Sequence, residues 1–315
     1  MAVLPNTKDV KAPAEDMDWL DVANEVDQST VEVEEQRYPI IQWVNGQPNE
    51  KRGGGVPYTG GWFISDDSAS KWGVEDLTGW EKGELVHRNG DSTDGWFVRD
   101  LAIACLHSRR GWRVMEGEQS RFFPWDQYDE ASAIGRPTGR VQILVIVRGF
   151  EDAGPVVLTM KGSTSQAFMG TSKAAGVLGT FKKCVVNMAN ELNAKRKVTA
   201  KLPWRAFWLT VGPDRKVDGS PEFSEVGQKP NSSNVTLPVA LGIHERMTNA
   251  ELKTVYVGAE NLAAFSQHYT ETEDWAHAWD EMRQPEAQPE PEAQPEAEAI
   301  DPANNPYASA GSTLF

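Results

Sequence analysis

Residues 140–211 constrain the fold more tightly than any other stretch of the chain. The run RVQILVIVRGF (140–150) is continuously apolar and rich in β-branched residues, which suits a strand buried on both faces. After a loop carrying Glu151 and Asp152, the run PVVLTMKG (155–162) returns as its hairpin partner. Ala167, Phe168, Ala174, Ala175, Leu178, Phe181, Val185, Met188, Ala189 and Leu192 then recur near the helical period. This predicts a helix over residues 163–195, with Ser163 or Thr164 placed to cap it. Gly170, Gly176 and Gly179 each weaken it by about 1 kcal/mol against Ala, so it is expected in shorter pieces. Pro203 follows and opens a strand over residues 204–211.

The flanking chain extends this pattern. RYPIIQWV (37–44) reads as a strand with Pro39 near its start, and Asn45-Gly46 is a turn. Gly53-Gly54-Gly55 lacks the GxxxxGK[ST] spacing of a phosphate loop and reads as a flexible turn. Residues 84–87 and 95–99 are short strands, and 99–108 is a short helix or strand. Residues 212–234 are turn-rich, 235–243 and 254–257 are strand-like, and 260–282 carries a helical pattern with Leu262, Phe265, Trp275 and Trp279. Strand, hairpin, helix, strand, strand is the element order of an OB-fold, the five-stranded barrel that binds oligonucleotides. The expected class is therefore a β-rich α+β fold: an OB-like barrel over 37–282, with flanking helices and residues 45–139 as a large insertion.

Charge divides the chain. The 315 residues carry a net −15, yet residues 1–35 hold ten acids against Lys8 and Lys11, and residues 271–315 hold eleven against Arg283. Residues 136–216 hold fourteen Lys or Arg against Glu151, Asp152, Glu191 and Asp214. Acidic ends around a basic middle suggest separate jobs. Residues 1–36 are expected to be an acidic arm, with Met17, Leu20, Ala23 and Val26 at helix-like spacing. From 283 on, QPEAQPEPEAQPEAEA is too polar and proline-rich to fold alone, which predicts a disordered acidic tail over 283–315. Cys105 and Cys184 are far apart and outside any CxxC pair, and no apolar run is long enough to span a membrane. With no secretory leader at the first residues, the expectation is a cytoplasmic protein that makes no membrane contact.

Enzyme motifs are missing. None of His87, His107, His244, His268 and His277 lies in HExxH, Cys105 and His107 form a lone pair, and GxSxG and GxGxxG do not occur. A non-enzymatic protein without metal or cofactor is expected. Binding chemistry is better represented. Residues 108–126 interleave Arg109, Arg110, Arg113 and Arg121 with Trp112, Phe122, Phe123 and Trp125. Rings stack on bases at about 1–3 kcal/mol each, while guanidinium groups meet phosphates. The same rings are also the makings of a core, since large aromatics are usually buried. The expected stacking residues are Trp112, Phe122, Phe123, Trp204 and Trp208, and the expected phosphate contacts are Arg109, Arg110, Arg113, Lys182, Lys183, Arg196 and Lys197. Trp204 and Trp208 would share one face of a strand.

A basic aromatic core joined to an acidic tail ending in Phe315 resembles bacterial and phage single-stranded-DNA-binding proteins in layout. The resemblance implies single-stranded DNA as partner, without strong sequence preference, in replication or recombination. It also implies replication or recombination proteins docking on Leu314 and Phe315. The nearest acid to Phe315 is Asp301, whereas in that family the acids adjoin the final Phe. Three other readings fit the composition: a phage or bacterial structural or interaction module, a carbohydrate-binding β-sandwich, and a nuclease with scattered acidic ligands.

Overall fold

The apolar hairpin forms as expected, in the middle of a much larger sheet than the barrel it suggested. The computed structural model describes residues 38–48, 57–87, 90–116, 119–171, 173–227 and 232–281. The expected arm 1–36, the glycine run 53–55 and the tail 283–315 with Leu314 and Phe315 lie outside those residues. The strands are β1 (Ile40–Val44), β2 (Gly61–Ser65), β3 (Glu81–Val86), β4 (Ser92–Val98), β5 (Leu101–Glu116), β6 (Gln119–Pro124), β7 (Thr138–Val147), β8 (Val156–Lys161), β9 (Leu209–Pro213), β10 (Ser224–Val226), β11 (Ser233–Val235) and β12 (Pro238–Leu241). Ten of them form one sheet in the order β12-β9-β5-β7-β8-β1-β2-β4-β3, with β6 also on β5. Only β1 and β8 pair in parallel.

The fold is α+β, with a large, mostly antiparallel sheet. Its end strands β12 and β3 do not pair with each other, so no barrel closes among the described residues. Residues 45–139 are not a separate insertion: they supply β2 to β6 of the same sheet. The sheet nevertheless curls. The Trp62 indole N–H donates across the interior to the Val211 carbonyl at 3.1 Å. Thr236 bridges to Gly46 through both its hydroxyl and its backbone N–H. A side chain on Gly46 or Gly60 would collide with this crossing, so the Asn-Gly turn is also a close-packing site.

A bulge in β5 decides which side chains face where. Cys105 pairs Val145, but His107 pairs Leu144, so one residue is inserted between them. Alternation therefore changes phase along the strand. Leu101, Ile103 and Cys105 face the main core, with Ile143, Val145, Leu158 and Trp62. Beyond the bulge the odd-numbered residues His107, Arg109 and Arg113 turn to the opposite face, with Leu144 and Val157.

Helices cover both faces. The main core is capped by α3 (Ser163–Met169), α4 (Gly176–Phe181), a π-helical turn (Lys182–Asn187) and α5 (Met188–Lys195), through Phe168, Leu178, Phe181, Val185 and Ala189. The helix over 163–195 is thus broken, as the glycines suggested. Gly170 (φ 91°) and Gly176 (φ 63°) lie backbone against backbone at the break, leaving no room for a Cβ. The expected cap differs: Gly162 is the N-cap, and Thr164 is buried and donates to Asn45 at 3.0 Å. On the second face α7 (Ala259–Glu271) and α8 (Glu273–Glu281) pack over β5 through Phe265 and Trp275. The single helix expected over 260–282 is this pair. Residues 254–257 are not a strand, because α6 (Asn249–Val255) runs through their start behind a Thr248/Glu251 capping box. The remaining helices are α1 (Asp66–Trp72) and α2 (Tyr128–Ile134).

Candidate functional site

Three strands carry cations to one corner of the second face. In the β5–β7–β8 register Arg113 stands opposite Thr138, and Arg140 opposite both Gly111 and Lys161. Alternation puts Arg113, Arg140 and Lys161 on the same face as Gln142 and Leu144. Phe122 of β6, paired with Arg113, lies between the two guanidinium groups, 5.9 Å from that of Arg113 and 5.7 Å from that of Arg140. Desolvation and then the positive charges of Arg140 and Arg113 hold the Lys161 amine below its ordinary pKa. The corner therefore brings three cationic side chains from three strands close enough to act on one another electrostatically.

One row inward, the chemistry is structural. Arg109 is 5 % exposed, donates to Gln142 at 2.8 Å and to the Trp275 carbonyl at 3.1 Å, and lies 4.1 Å from the Trp275 ring. It pins α8 to the sheet. His107 does the same for α7: its Nε2 donates to the Tyr269 carbonyl at 2.8 Å and its ring stacks on Tyr269. Burial pushes the His107 pKa down, so the neutral ring is the favoured form. The successive contacts of β5 with Tyr269 and Trp275, and of α8 with β6, show that α7 and α8 run toward the cationic corner.

Around the edge of the β5–β6 hairpin is an aromatic cluster. Trp112 and Trp125 stack at 4.2 Å and 14°, Tyr128 meets Trp112 edge-on, and the exposed Arg110 lies 4.9 Å from the Trp125 ring. The Trp112 indole N–H donates to the Trp125 carbonyl at 2.9 Å, which holds the pair. Both tryptophans are half-buried and Tyr128 is 48 % exposed, so ring surface remains accessible. Arg121 lies over Phe123.

The expected site residues do not form one groove. Arg110 and Trp112 lie on the main-core side of the β5–β6 hairpin, whereas Arg113 turns to the opposite face. Phe122 and Phe123 are 8 % exposed, and Trp208 is 4 % exposed, packed on Phe265, so none offers a free ring face. Trp204 and Trp208 do not share a strand face either: Trp204–Ala206 is a 3-10 turn, and the strand starts only at Leu209. Lys182 lies 4.5 Å from the Trp204 ring. Lys183 pairs with Glu245 at 2.8 Å. Arg196 and Lys197 end α5. These four cations belong to the helices on the main-core face, and the sheet lies between them and Arg113, Arg140 and Lys161. Arg140, Lys161, Trp125 and Tyr128 were missed as site members. The first had a readable signal, since Arg140 and Gln142 are polar at alternate positions of an otherwise apolar strand.

No group of three His, Cys, Asp or Glu side chains placed to hold a metal occurs among the described residues. Burial pushes the Cys105 thiol up to about 12, which leaves it unreactive at neutral pH. No helix among the described residues is long and apolar enough to cross a membrane. The chain matches no family model, curated protein or solved structure.

Proposed function

We propose that this chain is a non-enzymatic, single-stranded-DNA-binding protein that acts without strong sequence preference, as in replication or recombination. The observation that carries the reading is the corner where Arg113, Arg140 and Lys161 converge from three strands around Phe122. Phosphates are the natural counterions of such a cluster. Around the edge of the hairpin, on the main-core side of the sheet, Trp112, Trp125 and Tyr128 supply ring faces, which bases of any identity can stack upon. Arg110 and Arg121 extend the positive edge. Buried Arg109, Phe122 and Phe123 serve as support for this surface.

The acids of residues 283–315 are a polyanion in the same chain and would compete for that corner, as the layout resemblance implies. Titration with oligo-dT at several salt concentrations tests the reading. Tryptophan emission should be quenched, with affinity falling steeply as salt rises. Deletion of residues 284–315 should tighten binding. Unchanged emission at low salt, with no gel shift, sinks the reading. Salt-independent binding of an oligosaccharide instead would assign the rings to sugar stacking.

A further inference from the structure

We infer that the basic loop at residues 195–201 is a second polyanion surface, across the sheet from the Arg113–Arg140–Lys161 corner, so that one molecule holds two nucleic-acid segments at once. This rests on the proposed DNA-binding reading. Lys195, Arg196, Lys197 and Lys201 are all exposed, and no acid occurs between Glu191 and Asp214. The loop is held in shape at both ends. At its start the Val198 N–H donates to the Asn193 carbonyl at 2.9 Å and the Lys197 N–H to the Ala194 carbonyl at 2.9 Å. That is a Schellman stop, with Lys197 (φ 64°) in the left-handed position that usually takes glycine. At its end the Asn190 side chain clasps the Leu202 backbone, donating to its carbonyl at 3.1 Å and accepting from its N–H at 2.7 Å.

Four like charges on a mobile tether would spread apart, but here they are confined between two fixed points. Beside the loop stands a half-buried ring, Trp204, with Lys182 4.5 Å from it. Cations next to an accessible ring are the same chemistry as the hairpin surface. The helices that carry the loop pack on the main-core face, whereas Arg113, Arg140 and Lys161 stand on the other. The sheet therefore separates the loop from that cationic corner, while Trp112 and Trp125 lie on the loop's side of the sheet. Two separate tracks fit a protein that gathers two strands, or two distant parts of one strand.

Sequential capture tests this with the full chain. Oligo-dT on beads binds the protein, excess protein is washed away, and a dye-labelled second oligo-dT is added. The two oligonucleotides cannot pair with each other, so capture of the second requires the protein. The variant Lys195→Gln/Arg196→Gln/Lys197→Gln/Lys201→Gln, with an unchanged thermal melt, is the discriminating form. It should bind the beads as wild type does and lose most second-strand capture. The salt slope of that capture should fall by about 3 where a remnant is measurable. Full second-strand capture by the variant would show that paired molecules do the bridging and overturns the inference. Loss of bead binding by the variant makes the loop part of one continuous site and also overturns it. Wild type that binds the beads but never captures a second strand ends this inference alone. Wild type that does not bind the beads ends the DNA-binding reading, and this one with it.

Discussion

Arg140 and Lys161 stand directly opposite each other across β7 and β8, two cations where a sheet ordinarily pairs opposite charges. Like charges directly opposite each other on a sheet cost stability, and burial, then Arg140 and Arg113, lower the Lys161 pKa. Lys161→Glu should therefore stabilise the protein by about 0.5 kcal/mol while weakening oligo-dT binding and lowering its salt slope. Urea denaturation and a salt-dependent titration read the two effects. A variant that loses stability and keeps its affinity contradicts the assignment of this corner.

The tryptophans divide by burial, and substitutions should separate them. Trp125→Ala removes an accessible ring from the stack with Trp112 and should cost about 1–3 kcal/mol of DNA binding. Trp208→Ala empties a packed site against Phe265 and should cost about 3–5 kcal/mol of stability, with affinity per folded molecule unchanged. Equal effects of both variants on binding would refute the division.

His107 should make the docking of α7 sensitive to acid. Burial lowers its pKa below the free value of 6.5, with further lowering by His277 and Arg205 against the raising effect of the Tyr269 carbonyl and Glu273. The unfolded chain then takes up its proton at a higher pH than the folded one. Stability from this group is present above 6.5 and declines as pH falls from there to the lowered folded value. His107→Gln keeps a donor for the Tyr269 carbonyl and cannot charge. Melting temperatures between pH 7.5 and 5.5 should fall less steeply for the variant than for wild type.

Lys197 occupies a left-handed position at φ 64°. Lys197→Gly should relieve it and raise stability by up to about 1 kcal/mol, because glycine adopts this backbone without a Cβ penalty. Asn190→Ala should do the opposite locally. Amide exchange of the Leu202 N–H would quicken, since its acceptor is gone. Unchanged exchange there would mean that the Asn190 clasp does not hold the loop.

Local pattern was legible in the chain. The apolar, β-branched runs and the Asn-Gly turn marked β1, β7 and β8, and the helical period with its glycines marked a broken helix over 163–195. The interleaving of Arg with aromatic residues at 109–125 was also legible, because composition at that level needs no fold. Which of those side chains reach solvent was not visible. The inserted residue between Cys105 and His107 reverses the facing of every later side chain on β5, and no local sequence signal announced it. Burial of Arg109 and Trp208 follows from α8 and α7 arriving from far along the chain, whereas Phe123 is covered by its near neighbours Val114 and Ala131.

By itself, then, the amino-acid order determined the elements with strong periodicity, the acidic ends and the cationic middle. Only the tertiary structure decided strand order and the partition of the cations. Periodicity is a property of neighbours, whereas pairing is a contest among distant strands settled by total burial. That contest drew residues 45–139 into the sheet and left β12 and β3 as its ends. It also set Arg113, Arg140 and Lys161 on one face and the loop at 195–201 beyond the other, so the cations that composition grouped together are divided by the sheet.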